Sequence, residues 1–474
     1  MRENSKLCEA EGMKKNRLLG LVFSLIVGTA ILFAPLPSSL TADAQKVLAV
    51  AVFTIMLWMF QVMNNGVTSV LLMGLMVLVG VQPGLALSGF SGASFWILVC
   101  VLYYGCAMQK TGLAQRLSYY VLSLFPGTYN GILFAFFLIG LLLAMGIPSM
   151  TVRTAIMVPI AWALVQSLGL KPLSRSSALI MITTIQMAMI PGTAVLYGSL
   201  FGPFVDSVFQ AKDFPLTWLG YAQVMAVPTF ILCGLILLLN PVFMKPEEKL
   251  TTSPSFIKDK LLTMGRMKRT ELITAVVVLL SIAFWATDQI HGFPSFLVGM
   301  FGMAVLAFVG IIKDEDIGGG VSWTLLIFIG GIFGLANMIQ EYKITDWLTG
   351  YFMPVAESLA GRSLLLLLVM AIVFFALRFL DPSGFIVIPV LFLPVSDVID
   401  IQSVPPLILM APILLAIMPF WMSYQNFWVA MGEGMTSNQA FTGGQRVKLS
   451  TTYAVIVLVT LAISVGYWKL IGIL

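Results

Sequence analysis

The residues with chemical potential in this sequence gather where two apolar stretches break at the same Pro-Ser dipeptide. The first break reads Gly146-Ile147-Pro148-Ser149-Met150-Thr151-Val152-Arg153, and the second reads Arg378-Phe379-Leu380-Asp381-Pro382-Ser383-Gly384. A proline removes a backbone donor and Ser or Gly loosens the next turn. Each break therefore frees polar backbone that, in a membrane, only protein or a water-filled cavity can satisfy. Arg153, Arg378 and Asp381 stand beside these breaks. A charge at membrane depth is costly and functional by default, and interrupted segments paired across two halves of a chain point to a transporter's binding site.

The elements that must position these residues are apolar helices. With 474 residues, 59% of them hydrophobic and 10% charged, the chain is too apolar for a soluble domain and long enough for many spans. Helix-length apolar runs recur throughout, and no strand-length alternation argues for a barrel. A second pair of breaks follows the first: Pro191-Gly192-Thr193 with Gly198-Ser199, and Pro419 through Asn426. The stretch 241–270, rich in charges, Pro, Ser and Thr, separates two hydrophobic halves whose segments follow the same order. Residues 1–45 are then an N-terminal segment and first helix, 46–240 a first repeat, 241–270 a linker and 271–474 a second repeat.

Charge distribution orients the chain. Arg2, Lys6, Lys14, Lys15 and Arg17 precede the first span, and Lys245, Lys249, Lys258, Lys260, Arg266, Lys268 and Arg269 fill the linker. The positive-inside rule puts both clusters, and so the N-terminus, in the cytoplasm of a multi-pass inner-membrane protein. Cys8, Cys100, Cys106 and Cys233 show no paired spacing, and the single histidine, His291, sits in a short connection. The sequence thus lacks a catalytic His, a Cys pair or a clustered carboxylate site, which argues against an enzyme. Nothing in it suggests a nucleic-acid partner or a resident metal. Phe420, Trp421, Tyr424, Phe427 and Trp428 are read mainly as lipid-facing or interfacial packing.

Ser149-Met150-Thr151-Val152-Arg153-Thr154-Ala155-Ile156-Met157-Val158-Pro159-Ile160 resembles the Ser-Asn-Thr segment of the divalent anion:sodium symporter family, carriers of dicarboxylates, citrate or sulfate. Pro191-Gly192-Thr193 with Gly198-Ser199 is similar to that family's unwound loop, as is Pro419 through Asn426 in the second half. The resemblance implies an all-α polytopic membrane protein of about 11 transmembrane helices plus two re-entrant hairpins (about 128–170 and 362–400), in two inverted repeats. It also implies alternating access, a small anionic substrate and a homodimer in the lipid bilayer. Carried over by position, Ser149, Thr151, Thr193, Ser383 and Asn426 would bind substrate, joined by Arg153 on the chemistry of its own side chain, and Ser149, Gly192, Ser199 and Ser383 would bind a cation. The physics agrees: carbonyls and hydroxyls at such breaks can hold Na⁺, and helix N-termini offer positive potential to an anion.

Departures from the motif bear on the coupling ion. Met150 stands where the family has Asn, and a thioether is a poor ligand for a hard cation. Arg153 replaces a Thr, and a fixed guanidinium could supply the positive charge that Na⁺ otherwise brings, or grip a carboxylate through two parallel bonds. Arg378 and Asp381, three residues apart, suit a mutual charge pair or a proton relay. No cofactor is expected beyond Na⁺ or a proton as coupling ion. The alternatives are a proton-coupled cation antiporter or arsenite-type carrier of the same superfamily, and a membrane subunit that transports nothing.

Overall fold

The computed structural model describes residues 2–35, 40–210, 214, 216–248, 250, 255–344, 347, 358–359, 361–379, 392 and 404–474. Among these residues the protein is all helical. Helices α1 (Arg2–Phe33), α2 (Ala42–Met59) and α3 (Asn65–Leu78) lead to a short turn of helix, α4 (Pro83–Ala86), then α5 (Ala93–Thr111) and the amphipathic α6 (Leu113–Leu124). Next come α7 (Tyr129–Gly146), α8 (Met150–Ser167), α9 (Arg175–Met189), α10 (Phe201–Gln210) and α11 (Trp218–Phe243). Short α12 (Ser255–Met264) sits in the linker. The second half holds α13 (Arg269–Ala286), α14 (Asp288–His291), α15 (Ser295–Phe308), α16 (Asp314–Gly319), α17 (Trp323–Glu341), α18 (Ser363–Leu377), α19 (Pro406–Leu415), α20 (Phe427–Met435) and α21 (Gly443–Leu470).

Nine of the described helical segments are long and apolar enough to cross a bilayer, and five shorter helices are comparably apolar. A helix of 18 residues rises about 27 Å, close to the thickness of the hydrocarbon core. Helix ends follow local chemistry. Thr41, Thr128, Ser174, Thr217, Ser322 and Thr442 each cap an N-terminus through the side-chain oxygen, and Gly112 ends α5 in the left-handed conformation at φ 88°.

The helices sort into two packed groups. α1, α2, α3, α5, α13, α15 and α17 form one, and α7, α8, α9, α11, α18, α19, α20 and α21 form the other. Within each, small residues let backbones approach closely: a side chain on Gly140 of α7 would overlap the Met187 carbonyl on α9, and one on Gly302 of α15 would strike the Tyr104 hydroxyl on α5. Cys100 and Cys233 are buried, and Cys100, Cys106 and Cys233 carry free thiols. The second hairpin expected at 362–400, with Asp381 and Ser383, lies in part outside the described residues; of that range only 362–379, with α18 and Arg378, and Phe392 are described.

The linker side of the protein is fastened by a half-buried ion pair. Arg116 on α6 meets the Glu271 carboxylate in the first turn of α13 at 2.5 Å, and its other donors reach the carbonyls of Gly265 (2.8 Å) and Met264 (3.1 Å). Glu271 is only 2% exposed, so removing it leaves the guanidinium unpaired and partly desolvated. Glu271→Ala should cost about 3 kcal/mol, the scale for breaking a buried pair from one side. Thermal unfolding in detergent checks this, and an unchanged melting temperature would show that the pair carries no stability.

Candidate functional site

The first break is a buried turn. α7 stops at Gly146, Pro148 prevents continuation, and Ser149 restarts the chain as the N-cap of α8, its Oγ accepting from the Val152 N–H at 3.3 Å. Ile147 and Met150 are fully buried and Ser149 is 5% exposed. A loop between two plain spans would instead meet water. One turn into α8, Arg153 is buried completely.

Its guanidinium donates to backbone carbonyls alone among the described contacts. Nε reaches Ala188 O at 2.6 Å, Nη1 reaches both Ile147 O and Gly198 O at 2.6 Å, and Nη2 lies 3.4 Å from Met189 O. Ala188 and Met189 are the last residues of α9, Ile147 belongs to the turn, and Gly198 to the unwound stretch between α9 and α10. These are the carbonyls that broken helices leave without partners. Five donors in a planar fork can serve several of them at once. At the position expected to grip a substrate carboxylate, the guanidinium thus bonds the carbonyls of the break, and it is not among the residues lining the main cavity described below.

The stretch facing it is equally tight. Ile190–Ala194 form a 3-10 turn in which Thr193 Oγ1 donates to Ile190 O (2.8 Å) and meets Thr229 Oγ1 on α11 (3.1 Å). Gly192 packs against the Gly198 carbonyl with no room for a side chain. Ser199 is buried, and its Oγ has no hydrogen-bond partner among the described residues.

In the second half, the break after α19 is satisfied from α21: Tyr453 OH receives the Met418 N–H (3.3 Å) and donates to Leu415 O (2.5 Å), while Ser450 Oγ receives the Phe420 N–H (2.8 Å). Arg378, 1% exposed, donates from Nη2 to Gln425 O at 2.8 Å. Asn426 caps α20 by accepting from the Val429 N–H at 3.2 Å, leaving its buried Nδ2 without a partner.

A cavity of about 750 Å³ lies where the two helix groups meet. Ser149, Thr151 and Val152 at the start of α8, with Phe427, Trp428 and Ala430 at the start of α20, form one wall; Trp58, Gln61, Asn65, Phe328 and the 319–325 segment form the other. Trp428 Nε1 donates to Thr151 Oγ1 at 3.1 Å, tying the two helix starts together. Two helix N-termini therefore converge on one side of a cavity that no charged side chain lines, among the described residues. The 319–322 rim is anchored through Asp316, whose carboxylate meets Lys110 at 2.5 Å and is held below the usual range first by that bond.

Of the residues expected at a site, the structure brings Ser149 and Thr151 to the cavity and Asn426 to the end of the helix beside it. Gly192, Thr193 and Ser199 sit behind, in the unwound stretch. The aromatic residues divide: Tyr424, Phe427 and Trp428, read as membrane-facing, line the cavity, whereas Phe420 is buried and Trp421 packs on Phe379 with ring centroids 5.5 Å apart. Sequence reasoning missed Trp58, Gln61, Asn65 and Phe328. The one signal at hand was Gln61-Val62-Met63-Asn64-Asn65-Gly66, a polar interruption between two apolar runs that reads simply as a loop.

Comparison with known proteins gives a consistent picture. The family model for the sodium:sulfate symporter transmembrane region matches residues 15–474. Dicarboxylate transporter 1 of spinach chloroplasts is 25% identical over 468 residues, covering 95% of this chain and 81% of the relative. The putative malate transporter YflS of Bacillus subtilis is 26% identical over 340 residues, covering 70% and 71%. Among solved structures, the Alcanivorax borkumensis YdaH transporter superposes with a TM-score of 0.55 at 15% identity, covering 97% of this chain and 98% of that one, a likeness of fold.

The crowding at the unwound stretch generates a test. A methyl group on Gly192 would overlap the Gly198 carbonyl and press on the Arg153 guanidinium 2.8 Å away. Gly192→Ala should therefore destabilise the protein by about 1–3 kcal/mol, as overpacking does, while Gly434→Ala, where a methyl meets open space, should not. Equal melting temperatures for the two variants would contradict this packing.

Proposed function

The chain belongs to the sodium:sulfate symporter transmembrane-region family, and from that premise we propose that it is a secondary carrier of small anions, dicarboxylates foremost, that works by alternating access without sodium. The observation that carries the proposal is the convergence of two helix N-termini, α8 with Ser149 and Thr151 and α20 behind Asn426, on the cavity between two helix groups. Backbone N–H groups and the helix dipoles offer positive potential there, and hydroxyls orient a carboxylate. The spinach and Bacillus relatives, described as dicarboxylate and malate transporters, support the substrate class.

Arg153 supports independence from sodium. Carbonyl oxygens from three separate segments face one guanidinium, Ala188 O at Nε and Ile147 O and Gly198 O at Nη1, so a positive charge already sits among oxygens of the kind a hard cation prefers. The positive charge that a bound ion would bring is covalent and permanent. Arg378 plays the matching part beside Gln425 in the second half. Ser149, Gly192, Ser199 and Ser383 are then framework around internal cations rather than ligands of a mobile one, and Thr193 braces the unwound stretch. Ser383 and Asp381 remain part of the proposal, the former as a second hairpin contact and the latter as partner to Arg378.

The wider arrangement follows from the same reading. Residues 46–240 and 271–474 act as inverted repeats with re-entrant hairpins at about 128–170 and 362–400, and the burial of the Pro148-Ser149 turn favours re-entry. The group containing α7–α9 and α18–α21 moves against the other as a unit. The basic segments before α1 and around α12 place the N-terminus in the cytoplasm of an inner membrane. Exposed apolar side chains such as Leu279 of α13 and Phe301 of α15 offer surface for lipid or for the second copy of a homodimer.

Purified protein in proteoliposomes should exchange labelled malate against internal malate at the same rate in Na⁺ as in choline medium. Arg153→Ala should lower exchange at least about tenfold and the melting temperature as well, since it strands several buried carbonyls at about 1–3 kcal/mol each. Na⁺ but not choline should partly restore that melting temperature by entering the vacated carbonyl cage. Exchange by the unaltered protein that requires Na⁺ would overturn the sodium-free reading, and no saturable flux of any dicarboxylate would overturn the carrier reading.

A further inference from the structure

A second cavity, of about 350 Å³, lies at the other end of α5 from the first. It is lined by Ala93 at the N-terminal end of α5, Gln210 at the end of α10, Thr217 ahead of α11, and the 292–296 connection before α15. The C-terminal end of α5 carries Lys110, paired with Asp316 close to the rim of the main cavity. α5 has 19 residues and so spans about 28 Å, which puts the two cavities toward opposite faces of the membrane.

Asp206 lines this second cavity while being only 3% exposed. It is the one ionisable residue of α10, the helix that continues from the unwound stretch braced by Arg153. Its Oδ2 accepts from Ser94 Oγ on α5 at 3.0 Å and from Gln210 Nε2 at 3.0 Å. The Ser94 bond joins α5 to α10, which packs on α5 and α17 and is continuous in the chain with the unwound stretch held by Arg153. No cation meets Asp206 among the described residues. Around it, α5 presents Ser94 and carries its charge, Lys110, at the far end; α17 presents Phe333 against Phe204 and carries its charge, Glu341, at its exposed C-terminal end. Phe392 stacks on the neighbouring Phe209. The titratable groups sharing the cavity are Tyr197 and Asp288, and Asp288 already accepts from the Trp218 N–H at 3.1 Å.

We propose that Asp206 is a proton-binding site that latches the membrane face opposite the main cavity. The inference rests on the alternating-access reading. In the arrangement seen here, the carboxyl is buried against Ser94 with no counter-charge among the described residues, an environment that costs an ionised group far more than a neutral one. Opening that face parts α10 from α5 and hydrates the carboxylate, which then releases its proton to the same side. Proton affinity and conformation are therefore linked, and by reciprocity acid on that side holds the latch shut and the main cavity open. The proton binds and leaves from one face, so the site sets the balance of the two states without carrying net charge across.

The test reads the open state of the main cavity directly. Val321→Cys, in that cavity's wall, is labelled with a maleimide in the full-length protein, with and without Asp206→Asn, at a series of pH values; the parent without the new cysteine supplies the background. Asn is a permanently neutral mimic of the protonated acid, and comparing the two backgrounds at each pH cancels the intrinsic pH dependence of thiol labelling. Labelling in the Asp206→Asn background should exceed that with Asp206 by about tenfold near about pH 8, the ratio falling toward one near about pH 5, where Asp206 is itself protonated. Asp288→Asn should leave this dependence in place. Ser94→Ala, which removes a donor to the ionised form in the closed state, should move its midpoint to higher pH, and it keeps the test open should Asp206→Asn fail to fold.

A ratio of one at every pH, a constant ratio, or loss of the dependence in Asp288→Asn overturns the latch. Labelling needs no substrate, so its outcome is separate from the malate exchange assay on which the carrier reading stands or falls.

Discussion

Everything in this protein depends on how the freed carbonyls of broken helices are satisfied inside a membrane. Lipid offers no hydrogen bonds, so a break is tolerated only where protein supplies partners. Arg153 does this for the first half by drawing together the end of α9, the turn before α8 and the unwound stretch before α10. The second half uses Tyr453 and Ser450 from α21, with Arg378 at Gln425. Once those partners are fixed, so are the starting points of α8 and α20, and with them the direction in which both helix dipoles aim.

The arrangement separates two tasks that a bound ion performs together in a cation-coupled carrier: neutralising the carbonyls and holding the segments in register. A guanidinium performs both continuously, at the expense of reversibility. A site organised by a resident ion can fall apart when the ion leaves, which is what makes coupling possible; a site organised by Arg153 is organised always. Under the sodium-free reading proposed above, fixed organisation suits exchange, in which each transition of the carrier takes place with a substrate anion aboard, better than net movement driven by an ion gradient.

Much of this was legible in the sequence, and the illegible part has a physical reason. Helices were readable from uncharged runs of membrane length, and the breaks from Pro148, Pro191 and Pro419, because proline's effect on the backbone is local. The resemblance of Ser149 through Ile160 to a known motif placed the hairpin turn at what proved to be a buried turn facing a cavity. Arg153 could be recognised as important but not assigned, since its role depends on Ala188 and Gly198, 35 and 45 residues away along the chain. A buried arginine facing substrate and one facing carbonyls look the same in sequence. The aromatic wall was harder still: Trp58 and Phe328, with ring centroids 5.3 Å apart, come from different halves, and only tertiary packing distinguishes a Trp lining a cavity from one facing lipid.

The walls of the main cavity are unequal in a way that constrains the motion. One wall is built from helix starts whose geometry is set by buried hydrogen bonds, the Thr151–Trp428 contact among them. The other, with Trp58 held by Asn65 O at 3.2 Å and Phe328 edge-on to it, is largely apolar and makes no charge-specific demand on a ligand. Under the proposed carrier reading, an anion held by the first wall would travel with it past a second wall whose polar groups, Gln61, Asn65, Ser322 and Thr324, are all uncharged. On the alternating-access reading proposed above, placing the helix dipoles on one group and the aromatic surface on the other would let a substrate stay bound while the barrier around it changes sides.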